Sequence, residues 1–307
     1  MRESHGNPGD GDGQREGETQ QQARNGGGSP EVLPNRDRRS YRILQSRVAS
    51  RATPGGGQHL TDEATLVVLF HNAQSQVSES ACLLARFAAV HPQWRFVLVD
   101  DGSRDGTVER LREAVARNDW GGRARVVANA RNLGMGGTLS AVLGTVDTSI
   151  VAYTDCDLPY GLDVLDTFVE SLRHDTFVIA SRVHPESRFV MDPSFLRFVV
   201  TRHFGSRVFN ALTRCVLLPG VRDSQAGLKV FRREALLECL PRITRTGFSF
   251  DLELLFIARR RGIRLLEQPV TFRYASEPST VRFLRDSLRM LGDVASIRIG
   301  GFLGRYG

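Results

Sequence analysis

Lysine is nearly absent from this chain. Of its 41 lysine and arginine residues, in a length of 307, a single one is lysine, Lys229. So one-sided a choice reads as a coding habit rather than chemistry, and it makes the one retained lysine worth following. Cysteine is scarce as well: Cys82, Cys156, Cys215 and Cys239 stand in no Cys-x-x-Cys spacing. That pattern argues against a zinc module or a disulfide framework and fits free thiols in a reducing cytoplasm. No apolar run approaches the roughly 18 residues of a membrane span, and no secretory hydrophobic region is visible. The chain is expected to be cytoplasmic, peripheral on the inner face of a membrane at most.

What remains is ordinary globular material, 41% hydrophobic and 24% charged, with a formal net charge of +7. An excess of positive charge favours polyanions, acidic membrane surfaces or phosphorylated substrates without choosing among them. Nucleic acid is not expected as a partner, because no interleaved aromatic and basic motif accompanies the charge. Residues 1–60 are rich in Gly, Gln, Glu, Arg and Pro and poor in aromatics, so they are expected to form a disordered tail. Its second half is basic, with Arg36, Arg38, Arg39, Arg42, Arg47 and Arg51.

From Ala64 onward, apolar runs of strand length alternate with helical stretches. Strands are expected at Ala64–Phe70, Arg95–Asp100, Arg123–Ala128, Ser149–Thr154 and Thr176–Ala180. Helices are expected at Val77–Val90, Thr107–Asn118, Gly137–Thr145 and Leu162–Arg173. Such alternation indicates βαβ units and a mainly parallel sheet. Later the order is less regular. It gives a helix over Phe195–Leu212, a strand near Leu228–Phe231 and a helix at Glu234–Leu240. A further helix covers Phe250–Arg261, a last strand lies within Ile263–Phe272, and a final helix spans roughly Val281–Ile299. The expected layout is a tail to residue 60 and one domain over 61–299, with halves 61–182 and 183–299. A flexible end follows at 300–307.

Asp155-Cys156-Asp157 closes the strand-like run from Ser149. Side chains at i and i+2 of a strand share a face, so two carboxylates are expected together at a strand's carboxyl end, where open α/β sheets bind ligands. Oxygen ligands of this kind suit Mg²⁺ or Mn²⁺, above all when phosphates complete the coordination. Asp100 and Asp101 end the second strand in Phe96-Val-Leu-Val-Asp-Asp-Gly-Ser103 and belong on the same sheet edge, where a carboxylate can accept from a nucleobase or a ribose hydroxyl. Asp105 or Thr107 is placed to cap the helix that follows. The glycines of Arg131-Asn-Leu-Gly-Met-Gly-Gly-Thr138 suit an anion at a helix start. They do not complete a dinucleotide fingerprint, because Leu139 stands where the third glycine belongs.

Taken together these segments resemble glycosyltransferase family 2 with the GT-A fold, over roughly Ala64 to Ile299. Val99-Asp-Asp-Gly-Ser-Arg-Asp-Gly-Thr107 looks like that family's donor loop, and Asp155-Cys-Asp157 like its Asp-x-Asp motif. Arg222-Asp-Ser-Gln-Ala-Gly-Leu-Lys-Val-Phe231, Phe248-Ser-Phe-Asp-Leu-Glu-Leu-Leu255 and Ala180-Ser-Arg182 are similar to the dolichyl-phosphate glucosyltransferase and dolichyl-phosphate mannose synthase branch. The pattern at the end of the first strand departs from the family, with Leu69 in place of Pro and Ala73 in place of Glu; Asn72 is retained.

The resemblance implies an inverting, metal-dependent hexosyltransferase using a nucleotide sugar, UDP-glucose-like, with a polyprenyl phosphate as acceptor. A soluble enzyme acting on a small hydroxylated metabolite, or a non-catalytic nucleotide-sugar-binding protein, are the alternatives. Asp155 and Asp157 are the expected metal ligands. His71, Asn72, Asp100, Asp101, Arg131, Asp155, Arg182 and Lys229 are the candidates for donor binding. Gln225, Asp251 and Glu253 are placed on the acceptor side. A phosphate monoester attacks unaided, whereas a hydroxyl needs a general base; Asp223 is the candidate for that role. The final helix carries Leu284, Leu288, Leu291 and Ala295 on one stripe with Arg282, Arg285 and Arg289 mostly away from it. Such a helix suits either the protein's own core or an anionic bilayer surface.

Overall fold

The structure, a computed structural model, describes residues 62–190, 209–273 and 283–306, with side chains in the last stretch from Arg289 onward. The basic tail and most of the helix expected at Phe195–Leu212 lie outside the described residues; residues 209–216 are helical.

Strands β1 (Ala64–Phe70), β2 (Trp94–Asp100), β3 (Ala124–Ala128), β4 (Ile150–Asp155) and β5 (Thr176–Ser181) fall within a residue of their expected bounds at each end. A short β6 (Arg188–Val190) follows, then β7 (Lys229–Arg232), β8 (Arg264–Pro269) and β9 (Thr271–Arg273). The helices are α1 (Val77–Val90), α2 (Thr107–Arg117), α3 (Met135–Leu143), α4 (Val164–Ser171), α5 (Arg233–Cys239), α6 (Phe250–Arg260) and α7 (Phe283–Phe302). Seven strands form one sheet in the order β3-β2-β1-β4-β7-β5-β8, and β6 pairs with β9 apart from it. Only β7 runs against its neighbours β4 and β5.

The strands are apolar nearly throughout because both faces of the sheet are covered. Alternate residues go to opposite cores. Val67, Val97, Val99, Val151, Tyr153 and Phe231 pack with Leu139 and Val142 of α3 and with α6. Leu66, Val68, Phe96, Leu98, Ala152 and Val230 pack with Leu84 of α1, Leu111 of α2 and Phe168 of α4. Beyond residue 299, where a flexible end is expected, residues 302–305 are exposed while Tyr306 is buried. α7 reaches Phe302, and the buried Tyr306 stacks edge-on against Phe256 while its hydroxyl donates to Glu253 at 2.9 Å.

From β1 the chain builds outward through β2 to β3, then returns to place β4 on the other side of β1. That reversal creates the crevice at the carboxyl edge where open α/β sheets take their ligands. Register puts Asp100 opposite Phe70 and Asp155 opposite Leu69, so both acids reach this edge. Because β7 is reversed, its first residue, Lys229, also meets the edge, and the segment before it closes over the crevice.

Candidate active site

Asp155 is the last residue of β4, and Tyr153 rather than Asp157 shares its face of the strand. Asp157 lies beyond the strand in a turn closed by the Leu158 amide donating to the Asp155 carbonyl at 3.2 Å. The two carboxylates come together through the turn, and not through the strand alternation expected of them. The turn is held from below by α1. The Ser80 hydroxyl donates to the Cys156 carbonyl, and the Cys156 thiol lies 2.9 Å from Gln76 Oε1. Asp157 is exposed at the crevice, whereas Asp155 is mostly enclosed. Burial pushes the Asp155 carboxyl up to about 6, helped by the negative charges of Asp157 and Asp251 and opposed by Lys229 and Arg182. Partial desolvation at the crevice also raises Asp157, exposed though it is. Mutually repelling, desolvated carboxylates of this sort are a donor set that a divalent cation suits. No cluster of three or more His, Cys, Asp or Glu side chains able to hold a metal occurs among the described residues. A cation here would therefore draw its further ligands from a phosphate or water.

Asp223, the candidate base, is wholly buried and bound to Arg182. Arg182 donates from its backbone amide at 2.9 Å and from Nε and Nη2 at 2.8 Å each. Burial alone would raise the Asp223 carboxyl; the Arg182 guanidinium outweighs it and holds the group below its ordinary value. Both Asp223 oxygens accept from Arg182, an arrangement that does not favour the base role expected of it. These contacts fix the direction of Arg182, whose side chain stays partly exposed with its guanidinium 5.8 Å from the Phe272 ring centroid.

Lys229 is engaged within the protein. Its ammonium is fully buried, 3.1 Å from Asp251 Oδ2, and donates to the Ala226 carbonyl at 2.6 Å. The Tyr153 hydroxyl donates to the other oxygen of Asp251. Asp251 is thereby withdrawn from the acceptor side. Glu253 is withdrawn too, since it accepts from the Thr244 amide and hydroxyl, the Arg245 amide and the Tyr306 hydroxyl. Gln225 is half-buried, with a long 3.5 Å contact to the Ser224 carbonyl.

On the other flank, Asp100 binds Ser103 through its amide and hydroxyl. Asp101 accepts at one oxygen from the Leu133 amide at 2.7 Å, Thr138 Oγ1 at 2.6 Å and Asn129 Nδ2 at 3.1 Å. These bonds fix the loop after β2 to the loop after β3. Gly102 is required between them, with φ +65° and a Cβ position only 2.3 Å from the Arg131 carbonyl carbon. Asp105 accepts from Thr107 and from the Gln74 amide, as its helix-start position suggests.

The His71 ring lies between two amides. Asn72 Oδ1 accepts from the Arg104 amide and Asn132 Oδ1 from the Gly134 amide, so both side-chain NH₂ groups point at His71 Nε2, each at 3.0 Å. Nδ1 is 2.8 Å from the Asp101 carbonyl. This set is satisfied by a neutral imidazole with its proton on Nδ1. His71, Asn72 and Arg131 are exposed at the crevice rim. Ala73 is buried, its amide donating to Thr107 Oγ1.

Tyr153, Tyr160 and Glu267 were not anticipated from sequence. Tyr160 accepts from the Gly227 amide at 2.8 Å, and Glu267 accepts from the amides of Arg222 and Asp223. Tyr153 could have been found from its i−2 spacing to Asp155. Glu267 has no local signal, because its relation to Asp223 exists only through the β5–β8 pairing. A second concavity of about 620 Å³, bordered by Glu63, Arg95, Arg123 and Asp147, opens at the amino ends of β1 and β2, away from these groups.

A doubly wound sheet with acids gathered at its switch point is a ligand-binding arrangement of α/β proteins; the comparisons give it a class, a glycosyltransferase of the GT-A type. The family model "Glycosyl transferase family 2" matches residues 65–240, more than half of the chain, and the chain belongs to that family. It is 24% identical over 279 residues to the dolichyl-phosphate beta-glucosyltransferase of Saccharomyces cerevisiae, covering 84% of this chain and 81% of that one. With a dolichyl-phosphate beta-glucosyltransferase of Trichomonas vaginalis it shares 27% over 221 residues, 67% of this chain and 62% of the relative. Among solved structures it is similar to glucosyl-3-phosphoglycerate synthase of Mycobacterium tuberculosis, with TM-score 0.56 at 16% identity, covering 87% and 86% of the two chains. Mannosyl-3-phosphoglycerate synthase of Rubrobacter xylanophilus gives TM-score 0.54 at 17% identity, covering 86% and 78%. These structures establish the fold.

Proposed function

We propose that the protein transfers a hexose, with inversion, from a UDP-glucose-like nucleotide sugar to a polyprenyl phosphate. The observation that carries the choice of acceptor is the state of the acids around the crevice. Asp100, Asp101, Asp223, Asp251, Glu253 and Glu267 are each engaged by donors of the protein itself. Among the described residues that leaves Asp155 and Asp157, which the donor diphosphate needs. A hydroxyl acceptor would lack a base, whereas a phosphate monoester is ionised near neutral pH and brings its own nucleophilic oxygen. The names of the relatives, which specify a dolichyl phosphate, support the same reading.

In this account the rim formed by His71, Asn72 and Arg131, set by the loops that the buried Asp100 and Asp101 hold, receives the nucleoside. Asp157, with Asp155, holds Mg²⁺ or Mn²⁺, which when bound acts as a Lewis acid on the departing nucleoside diphosphate. Arg182, aimed by Asp223, meets phosphate charge at the acceptor end of the crevice. Lys229 and Asp251 act beneath the site, bracing the Ala226–Gly227 segment against Asp155.

The test is transfer from labelled UDP-glucose, with Mn²⁺, to a polyprenyl phosphate and to the polyprenol of the same chain length. Labelled lipid is expected from the phosphate alone. Transfer to the alcohol, or to a small hydroxylated acceptor in preference to the phosphate, would contradict the reading.

A further inference from the structure

Helix α7 is apolar on two faces. Inward, Val294 and Ile297 are buried in the core, and Gly301 lies against the Phe256 ring with no space for a Cβ. Outward, Leu291, Ala295, Ile299 and Phe302 follow one another at helical spacing, and Leu303 extends the strip. Ile299 is 57% exposed, Phe302 76% and Leu303 75%. Scattered exposed apolar residues are ordinary, but a contiguous strip on the outer face of an anchored helix marks an interaction surface.

The charges around the strip select its partner. Arg298 and Arg305 are exposed beside it, and the Arg298 guanidinium sits 4.5 Å over the Phe302 ring. The one acid among the described side chains of α7, Asp293, points the other way, to Arg245 and Ser249. An apolar strip bordered by arginine and free of outward acid matches an anionic lipid–water interface, where the rings enter the acyl boundary and the guanidinium groups meet phosphates. A second copy of the chain fits poorly, because a two-fold contact would set these arginines against their own counterparts.

We propose that the outer face of α7, centred on Ile299, Phe302 and Leu303, docks on an anionic bilayer. The helix packs by Asp293 on Arg245 and Ser249, in the loop whose Thr246 carbonyl takes the Gly137 amide beside the crevice. From that loop the helix leads away to its exposed end, where Gly301 lies against Phe256 and Arg260 of α6. The proposal deepens the lipid-acceptor reading and rests on it for its purpose, yet its test reads vesicle binding and not turnover, so either can fail alone.

The full chain is to be sedimented with phosphatidylcholine vesicles with and without about 30% phosphatidylglycerol. Binding is expected with the anionic lipid, and Phe302→Ser/Leu303→Ser should weaken it at least about tenfold with an unchanged melting temperature. Arg298→Gln/Arg305→Gln, which spares the apolar strip, should reduce the preference for anionic lipid. Absence of binding to anionic vesicles overturns the proposal. So does equal binding by the serine variant, which would assign binding to another part of the chain. Light scattering that shows a dimer dissolved by the serine variant would assign the strip to a second copy instead.

Discussion

Asp155 carries a cost that the fold does not need. Its folded carboxyl keeps a proton up to about 6, against an ordinary 3.8. Folding stability therefore falls as pH rises between those values, and the cost, on the order of 2–3 kcal/mol, is fully present above them. Asp155→Asn is expected to raise the melting temperature of the metal-free protein by several degrees at pH 8, to change it little near pH 4, and to abolish transfer. A lower melting temperature at pH 8 would show that Asp155 serves the fold. Asp223 has the opposite sign. It is held below its ordinary value and contributes stability that disappears as pH falls through its folded value. Asp223→Asn breaks a buried pair and should cost on the order of 3–5 kcal/mol. Transfer to the phosphate acceptor should fall with it, since the loss passes through Arg182. A selective loss with the hydroxyl acceptor, at unchanged stability, would restore Asp223 as a base. At this scale the sequence displayed which acids collect at one edge. It did not display which of them the protein itself consumes, because the partners of Asp223 and Glu253, such as Arg182, Glu267 and Tyr306, are distant in the chain.

The elements that carry these residues were legible from hydrophobic period alone, and β1 to β5 agree closely with that pattern because each strand is buried on both faces. The reversal of β7 was not legible. Only Val230 and Phe231 of Lys229-Val-Phe-Arg232 are apolar, too short a pattern to show direction, which is set by the strands it finds on either side. That reversal brings Gly227 against Asp155, where a Cβ would sit 2.1 Å from the carboxylate oxygen Oδ2. The obstructed atom is the end of a movable side chain, so Gly227→Ala should change the melting temperature by only a few degrees yet displace Asp155 and sharply weaken Mn²⁺-dependent donor binding. Gly102→Ala is the contrast. It meets main chain at 2.3 Å with φ +65° and should destabilise the protein by more than about 2 kcal/mol. If Gly227→Ala bound donor normally, the close packing of the β7 approach would have no bearing on the site.

At the scale of the whole molecule, function follows from one topological event, the return of the chain to the inner side of β1 after β3. It places the ends of β1, β2 and β4 on one edge within about 10 Å across the sheet. The alternation of strands and helices made that crevice foreseeable. It did not foretell the burial of Tyr306 beyond α7, because its fit against Glu253 and Phe256 depends on tertiary contact rather than local pattern. The central claim is that Asp155 and Asp157 receive a nucleoside diphosphate together with a divalent cation. Calorimetric titration of UDP into the wild-type protein and Asp157→Ala, each with and without Mn²⁺, tests it most directly. The account predicts Mn²⁺-dependent binding by the wild type and a loss of that dependence in the variant. Equal UDP affinity in all four titrations would contradict it.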